Sequence, residues 1–163
     1  MMAEPPSGEE QGSLDRIVVA LVQHDVDFIA IGGWAVQAQQ YDLGRVTYDI
    51  DVTPERGREN LQRLSDALND LGAEVRYGDQ TLPFAHDGES LARAAVWNLS
   101  CRHGDFDICL EPTGTQGGYD ELSRPEVRLC SGGPRIRPLQ PRRCAVRARA
   151  AMSLPQEVAA LRV

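Results

Sequence analysis

Two aspartates stand one residue apart in Tyr48-Asp49-Ile50-Asp51-Val52, inside an apolar, β-branched setting. On a strand, residues i and i+2 point to the same face, so the Asp49 and Asp51 carboxylates share one side and Ile50 and Val52 the other. Two like charges at that distance repel unless something positive lies between them. A divalent cation does this well, and Mg²⁺ favours a few carboxylates together with phosphate oxygens and water. An exposed strand face is the plain alternative. Upstream, Gly32-Gly33 follows the apolar run Phe28–Ile31 and precedes an amphipathic segment. A glycine turn there lets backbone approach a ligand closely, and a following helix start offers free N–H groups to phosphate.

A third carboxylate comes from Gly104-Asp105-Phe106-Asp107-Ile108. Asp107 lies between two apolar residues of a second β-like run, where a charge needs a partner. Asp105 shares its face and is the alternative to it. Arg45 precedes Asp49 by four residues and has the planar fork that grips phosphate oxygens bidentately; a solvated loop charge, or a salt bridge to Asp49 or Asp51, is the other reading. Thr47 is expected at a strand edge. Trp34 is expected to pack rather than stack on a base. His24, His86 and His103 have no metal-ligand spacing, and Arg56 and Arg58 read as solvated helix charges.

The elements that must position these groups follow from periodicity. Leu14, Ile17, Val18, Leu21 and Val22 make one helical stripe, with Ser13 as cap and the end near Gln23. Phe28–Ile31 reads as a buried strand, residues 34–40 as a short helix ended at Gly44, and residues 48–52 as a second strand. Residues 55–71 carry Leu61, Leu64, Leu68 and Leu71 on one face, with Gly72 as C-cap. A strand begins at residues 74–76, and residues 77–90 read as a polar loop around Pro83. Residues 96–102 and 105–110 form a hairpin about His103-Gly104. Residues 112–118 are a glycine-rich loop, and 119–123 make one helical turn. Residues 127–130 and 135–139 are expected as a last hairpin, with helices at 142–151 and 156–161. The expected fold class is α/β (α+β): a small mixed β-sheet flanked by helices.

The chain has 163 residues, enough for one domain with a hydrophobic core. Residues 1–12 are acidic without an apolar leader and are expected to be a disordered N-terminus. No apolar run is long enough to span a membrane. Cys101, Cys109, Cys130 and Cys144 show no paired spacing, which suits reduced thiols and a cytoplasmic location. Net charge is −7, unevenly spread. Residues 131–163 hold seven arginines and one acid, about +6, leaving −13 on residues 1–130 by subtraction. Every basic side chain is Arg, which excludes any lysine-dependent mechanism.

The pairing of Gly32-Gly33-Trp34-Ala35 with Asp49-Ile50-Asp51-Val52 resembles the signature of the polymerase-β-like nucleotidyltransferase superfamily. The GGWA form with Arg45 and Thr47 is similar to its small AbiEii-like and related toxin branches, and to antibiotic nucleotidyltransferases of the lincosamide type. The resemblance covers roughly residues 14–125. It implies a nucleotidyltransferase fold over residues 13–130, followed by an atypical basic tail over residues 131–163. It implies that Asp49, Asp51 and Asp107 are the catalytic, metal-holding triad for two Mg²⁺ ions. Gly32 and Gly33 would cradle the triphosphate of an NTP. The implied activity moves an NMP from that NTP to a hydroxyl acceptor with release of pyrophosphate. The expected setting is of toxin–antitoxin type, acting on RNA or protein, with a cognate antitoxin as partner. A small-molecule acceptor, as in antibiotic modification, is one alternative. A catalytically impaired nucleotide- or partner-binding module of the same fold is another.

Overall fold

Ile50, Val52, Phe106 and Ile108 are wholly buried, whereas the aspartates interleaved with them are only partly covered. That alternation gives two neighbouring strands one core face and one chemical face. The computed structural model describes residues 8–38, 48–123 and 146–148. In chain order they form α1 (Gly8–Gln23), β1 (Phe28–Ile31), α2 (Gly32–Ala38), β2 (Asp49–Pro54), α3 (Arg58–Leu71), β3 (Glu74–Tyr77), β4 (Gln80–Leu82), α4 (Gly88–Leu91), β5 (Val96–Cys101), β6 (Gly104–Cys109), α5 (Tyr119–Leu122) and β7 (Val146–Ala148).

The strands make one sheet in the order β4-β3-β5-β6-β2-β1-β7. Only β2 and β6 run parallel; every other neighbouring pair is antiparallel. The sheet is therefore mixed and the fold α+β, as the alternation of patterns predicts.

One side of the sheet is the main core. Leu14, Ile17, Val18, Leu21 and Val22 of α1 join Leu61, Leu64, Leu68 and Leu71 of α3 against Phe28, Ile50, Val52, Leu99, Phe106 and Ile108. Burying a leucine this completely stabilises by about 2 kcal/mol, so the four of α3 hold that helix to the sheet far more strongly than its intrinsic propensity does. Gly72 ends α3 in the left-handed conformation, φ 63°, and its N–H donates to the Asn69 carbonyl. Asn60 fixes the other end. Its side chain is buried, accepts from the Asp27 N–H at 2.7 Å, and donates to the Asp27 and Glu55 carbonyls at 2.9 and 2.8 Å. The entrance to β1, the exit of β2 and the start of α3 are thereby tied at one point. On the opposite side, Ile29 and Ile31 of β1 pack with Tyr119, Leu122 and Cys109, so α5 covers that face only at its β1 end.

Several expectations are revised. The first helix begins at Gly8 rather than Ser13, so residues 8–12 are helical; Glu9, Glu10 and Gln11 are good helix formers and favour this longer helix. Residues 77–90 are not a simple loop. Gly78, at φ 60°, closes a two-residue turn that pairs Tyr77 with Gln80 and forms the β3–β4 hairpin. Asp87 then caps α4, accepting from the Ser90 N–H at 2.7 Å while Ser90 Oγ accepts from the Asp87 N–H. Residues 146–148, expected as helix, form a strand on the outer edge of β1, where an unpaired backbone row would otherwise remain. The expected hairpin at residues 127–130 and 135–139 and the helix at 156–161 lie outside the described residues. Among the described residues no helix is long and apolar enough to cross a membrane.

Candidate active site

The chemical face is built by register. β2 and β6 pair in parallel with Asp49 opposite Asp105 and Asp51 opposite Asp107. Opposed residues on paired strands point to the same side, so four carboxylates occupy two adjacent rows, the partners within each row about 5 Å apart across the strands. Asp107 thus lies on the same face as Asp49 and Asp51, and Asp105 lies there too.

The inner row sits beside the glycine turn. Asp51 is opposite Ile31 of β1, and Gly32 follows Ile31 directly. Gly32 has φ +73°, a conformation that side chains rarely adopt, and a Cβ there would collide with the Asp51 carboxylate oxygen Oδ2. Backbone and carboxylate therefore meet closely at the start of α2. Asp49 lies one pair further out, past the end of β1.

Electrostatics confirm that the carboxylates feel one another. Burial, then the negative charges of Asp49 and Asp107, push the Asp51 carboxyl up to about 6, with Arg76 opposing. Burial also pushes Asp107 up, and there Arg76 is the main opposing influence. Cys109 follows Asp107 on the same face of β6. Burial and the charges of Asp51, Asp107 and Asp49 push its thiol up to about 12, so it stays protonated and is no nucleophile at neutral pH.

Arg76 is the residue that sequence reasoning missed. It comes from β3, beyond β5, and spans to β6: Nη1 donates to Asp105 Oδ2 and Nη2 donates to Asp107 Oδ1, the latter at 2.9 Å. Its only sequence signal is a charged residue between Val75 and Tyr77 on a short strand. Nothing local links it to Asp107; the sheet order does.

The other singled-out residues go elsewhere. Trp34 is 2% exposed and its indole N–H donates to Asp15 Oδ1 at 3.1 Å, so it is a packing residue. His24 pairs with Asp70, His86 with Ser65, and His103 receives a hydrogen bond from Arg102. Arg56 is paired with Glu111. Gly33 is buried in α2. Arg45 and Thr47 lie outside the described residues.

Among the described residues, no group of three or more His, Cys, Asp or Glu side chains forms a ready-made metal-holding set. The donor chemistry nevertheless fits a hard divalent cation. Asp49, Asp51 and Asp107 are oxygen donors on one face, and Asp51 is held back from ionising by burial and like charge, a penalty that a cation would remove. No protein-family model, no curated protein and no solved structure matches this chain.

Proposed function

We propose that the chain is a Mg²⁺-dependent nucleotidyltransferase. The observation that carries the reading is the parallel register that sets Asp107 beside Asp51, with the Gly32 turn against the Asp51 carboxylate. Asp49, Asp51 and Asp107 would hold two Mg²⁺ ions, and the bound ions supply charge stabilisation at the attacking and leaving oxygens of an in-line displacement. The acceptor hydroxyl oxygen forms a bond to the α-phosphorus of an NTP, the bond to the β-phosphate oxygen breaks, and pyrophosphate leaves. Asp107 would fix the acceptor side or take the hydroxyl proton. The Gly32–Gly33 backbone provides the close approach for the phosphates. Arg45, four residues before Asp49, would supply a further phosphate contact through its guanidinium fork.

For the acceptor we favour RNA or protein, in a toxin–antitoxin setting with a cognate antitoxin, because the basic stretch 131–163 offsets an acidic body. A second reading, a nucleotide- or partner-binding module without turnover, draws on Arg76, which occupies two of the four carboxylates.

Incubation with each labelled NTP and Mg²⁺, in host lysate and with purified RNA, protein and small hydroxyl compounds, tests the proposal. Label transfer by the wild type that disappears in Asp49→Ala/Asp51→Ala is the expected result. Transfer that survives in the double variant would falsify the catalytic assignment. Calorimetric binding of Mg·NTP with no transfer to any acceptor establishes the binding module instead.

A further inference from the structure

The two acids of β6 are not equivalent. Asp107 stands in the inner row, opposite Asp51, whose carboxylate meets the glycine turn, and its side chain is 19% exposed. Asp105 stands in the outer row beside the hairpin turn, and its side chain is 40% exposed. Arg76 joins them. Its guanidinium occupies Oδ2 of Asp105 and Oδ1 of Asp107, leaving the second oxygen of Asp107 without that claim on it.

A planar guanidinium engaged by one carboxylate can rotate with it; engaged by two, it is fixed in plane and direction. Asp105 therefore does something for Arg76 that Asp107 alone could not. We infer that Arg76 and Asp105 form a clamp that orients Asp107 as the third metal-holding carboxylate, and that Asp105 does not itself touch the metal. Both are positioning residues. The inference rests on the proposed metal site and decides which acid of Gly104-Asp105-Phe106-Asp107 serves it. Lys at position 76 keeps the charge but loses the fork, and Asn at position 105 loses the charged anchor, so each breaks the clamp by a different route.

The test is Mn²⁺ titration of the full chain by calorimetry without nucleotide, so that its readout needs no turnover. Arg76→Lys and Asp105→Asn are each expected to weaken Mn²⁺ binding about tenfold, and their combination no further. Asp107→Asn weakens it at least as much. On the Asp107→Asn background, adding Arg76→Lys or Asp105→Asn changes affinity by less than about threefold, because the clamp acts only through Asp107. A further tenfold loss from Asp105→Asn on that background makes Asp105 a ligand in its own right and overturns the inference. So does wild-type affinity in Arg76→Lys. If the wild type binds no Mn²⁺, or binds it no better than Asp49→Ala/Asp51→Ala, the metal site fails and the clamp with it. That result is distinct from the two in which binding is intact and the clamp alone fails.

Discussion

At the scale of single residues, Asp51 concentrates the conflict between folding and chemistry. Its carboxyl is raised to about 6 by burial first and by Asp49 and Asp107 second. The folded state therefore holds the proton more tightly than the unfolded chain does. This group's contribution to stability is fully present below about pH 4 and is lost as pH rises through about 6. Asp51→Asn removes the loss. In EDTA at pH 7.5 the variant is expected to be more stable than the wild type by about 1–2 kcal/mol, a figure reduced for the water that reaches this half-buried carboxylate. At pH 4 the two melting temperatures converge. With Mg²⁺ present the order narrows or reverses, since the wild type alone retains the full carboxylate set. Thermal melts across pH, with and without metal, check all three outcomes. Gly32 is the complementary case. Gly32→Ala adds left-handed strain to a collision with the Asp51 carboxylate, so urea denaturation should show a loss of about 2 kcal/mol or more. Gly72→Ala, with the same sign of φ but nothing near its Cβ, should lose only about 1 kcal/mol.

At the scale of elements, what the sequence makes legible is what is locally periodic. β2, the β5–β6 hairpin and α3 are readable because their apolar residues alternate or recur every three to four positions, and β1 because it is an unbroken apolar run. The pairing Asp49–Asp51 is legible for the same reason, and Asp107 follows from the odd placement of a charge between Phe106 and Ile108. Three features were hidden. β4 pairs locally with β3 across Gly78-Asp79, but its three exposed residues, Gln80–Leu82, carry no apolar alternation. β7 is a short edge strand whose partner, β1, lies far earlier in the chain, and Arg76 reaches its acids only because β5 lies between β3 and β6. No window of sequence contains the contacts of β7 or of Arg76 with its acids. Asn60 shows the same gap for stability: it reads as one more polar residue in a helix, yet it satisfies backbone groups of Asp27 and Glu55 from a buried position. Asn60→Ala removes the partner of the Asp27 N–H and of the Glu55 carbonyl, while the Asp27 carbonyl keeps the Glu55 N–H, and the expected cost is about 2–4 kcal/mol. A lower urea midpoint at unchanged slope is the measurement that reports it.

At the scale of the whole molecule, charge is split between a body of −13 and a stretch of +6 from residue 131 onward. An acidic body repels a polyanion, and four of its carboxylates lie on the proposed reacting face. An RNA acceptor would then owe its binding to the arginines near the C-terminus, through phosphate contacts that release counterions. Arg147 lies within β7, whose pairing completes the edge of β1, so it is a poor choice for a charge test. Arg135, Arg137, Arg142 and Arg143 fall outside that strand. Replacing all four with Gln removes about half of the positive charge without touching β7. If RNA is the acceptor, the slope of log affinity against log salt should become shallower by about 2–3, given about 0.7 per phosphate contact on a single strand. Labelling of RNA at 150 mM salt should fall steeply, while Mn²⁺ titration checks that the unchanged carboxylates of β2 and β6 still bind metal. An unchanged salt slope excludes the basic stretch as an RNA contact and moves the acceptor to a protein or a small hydroxyl compound.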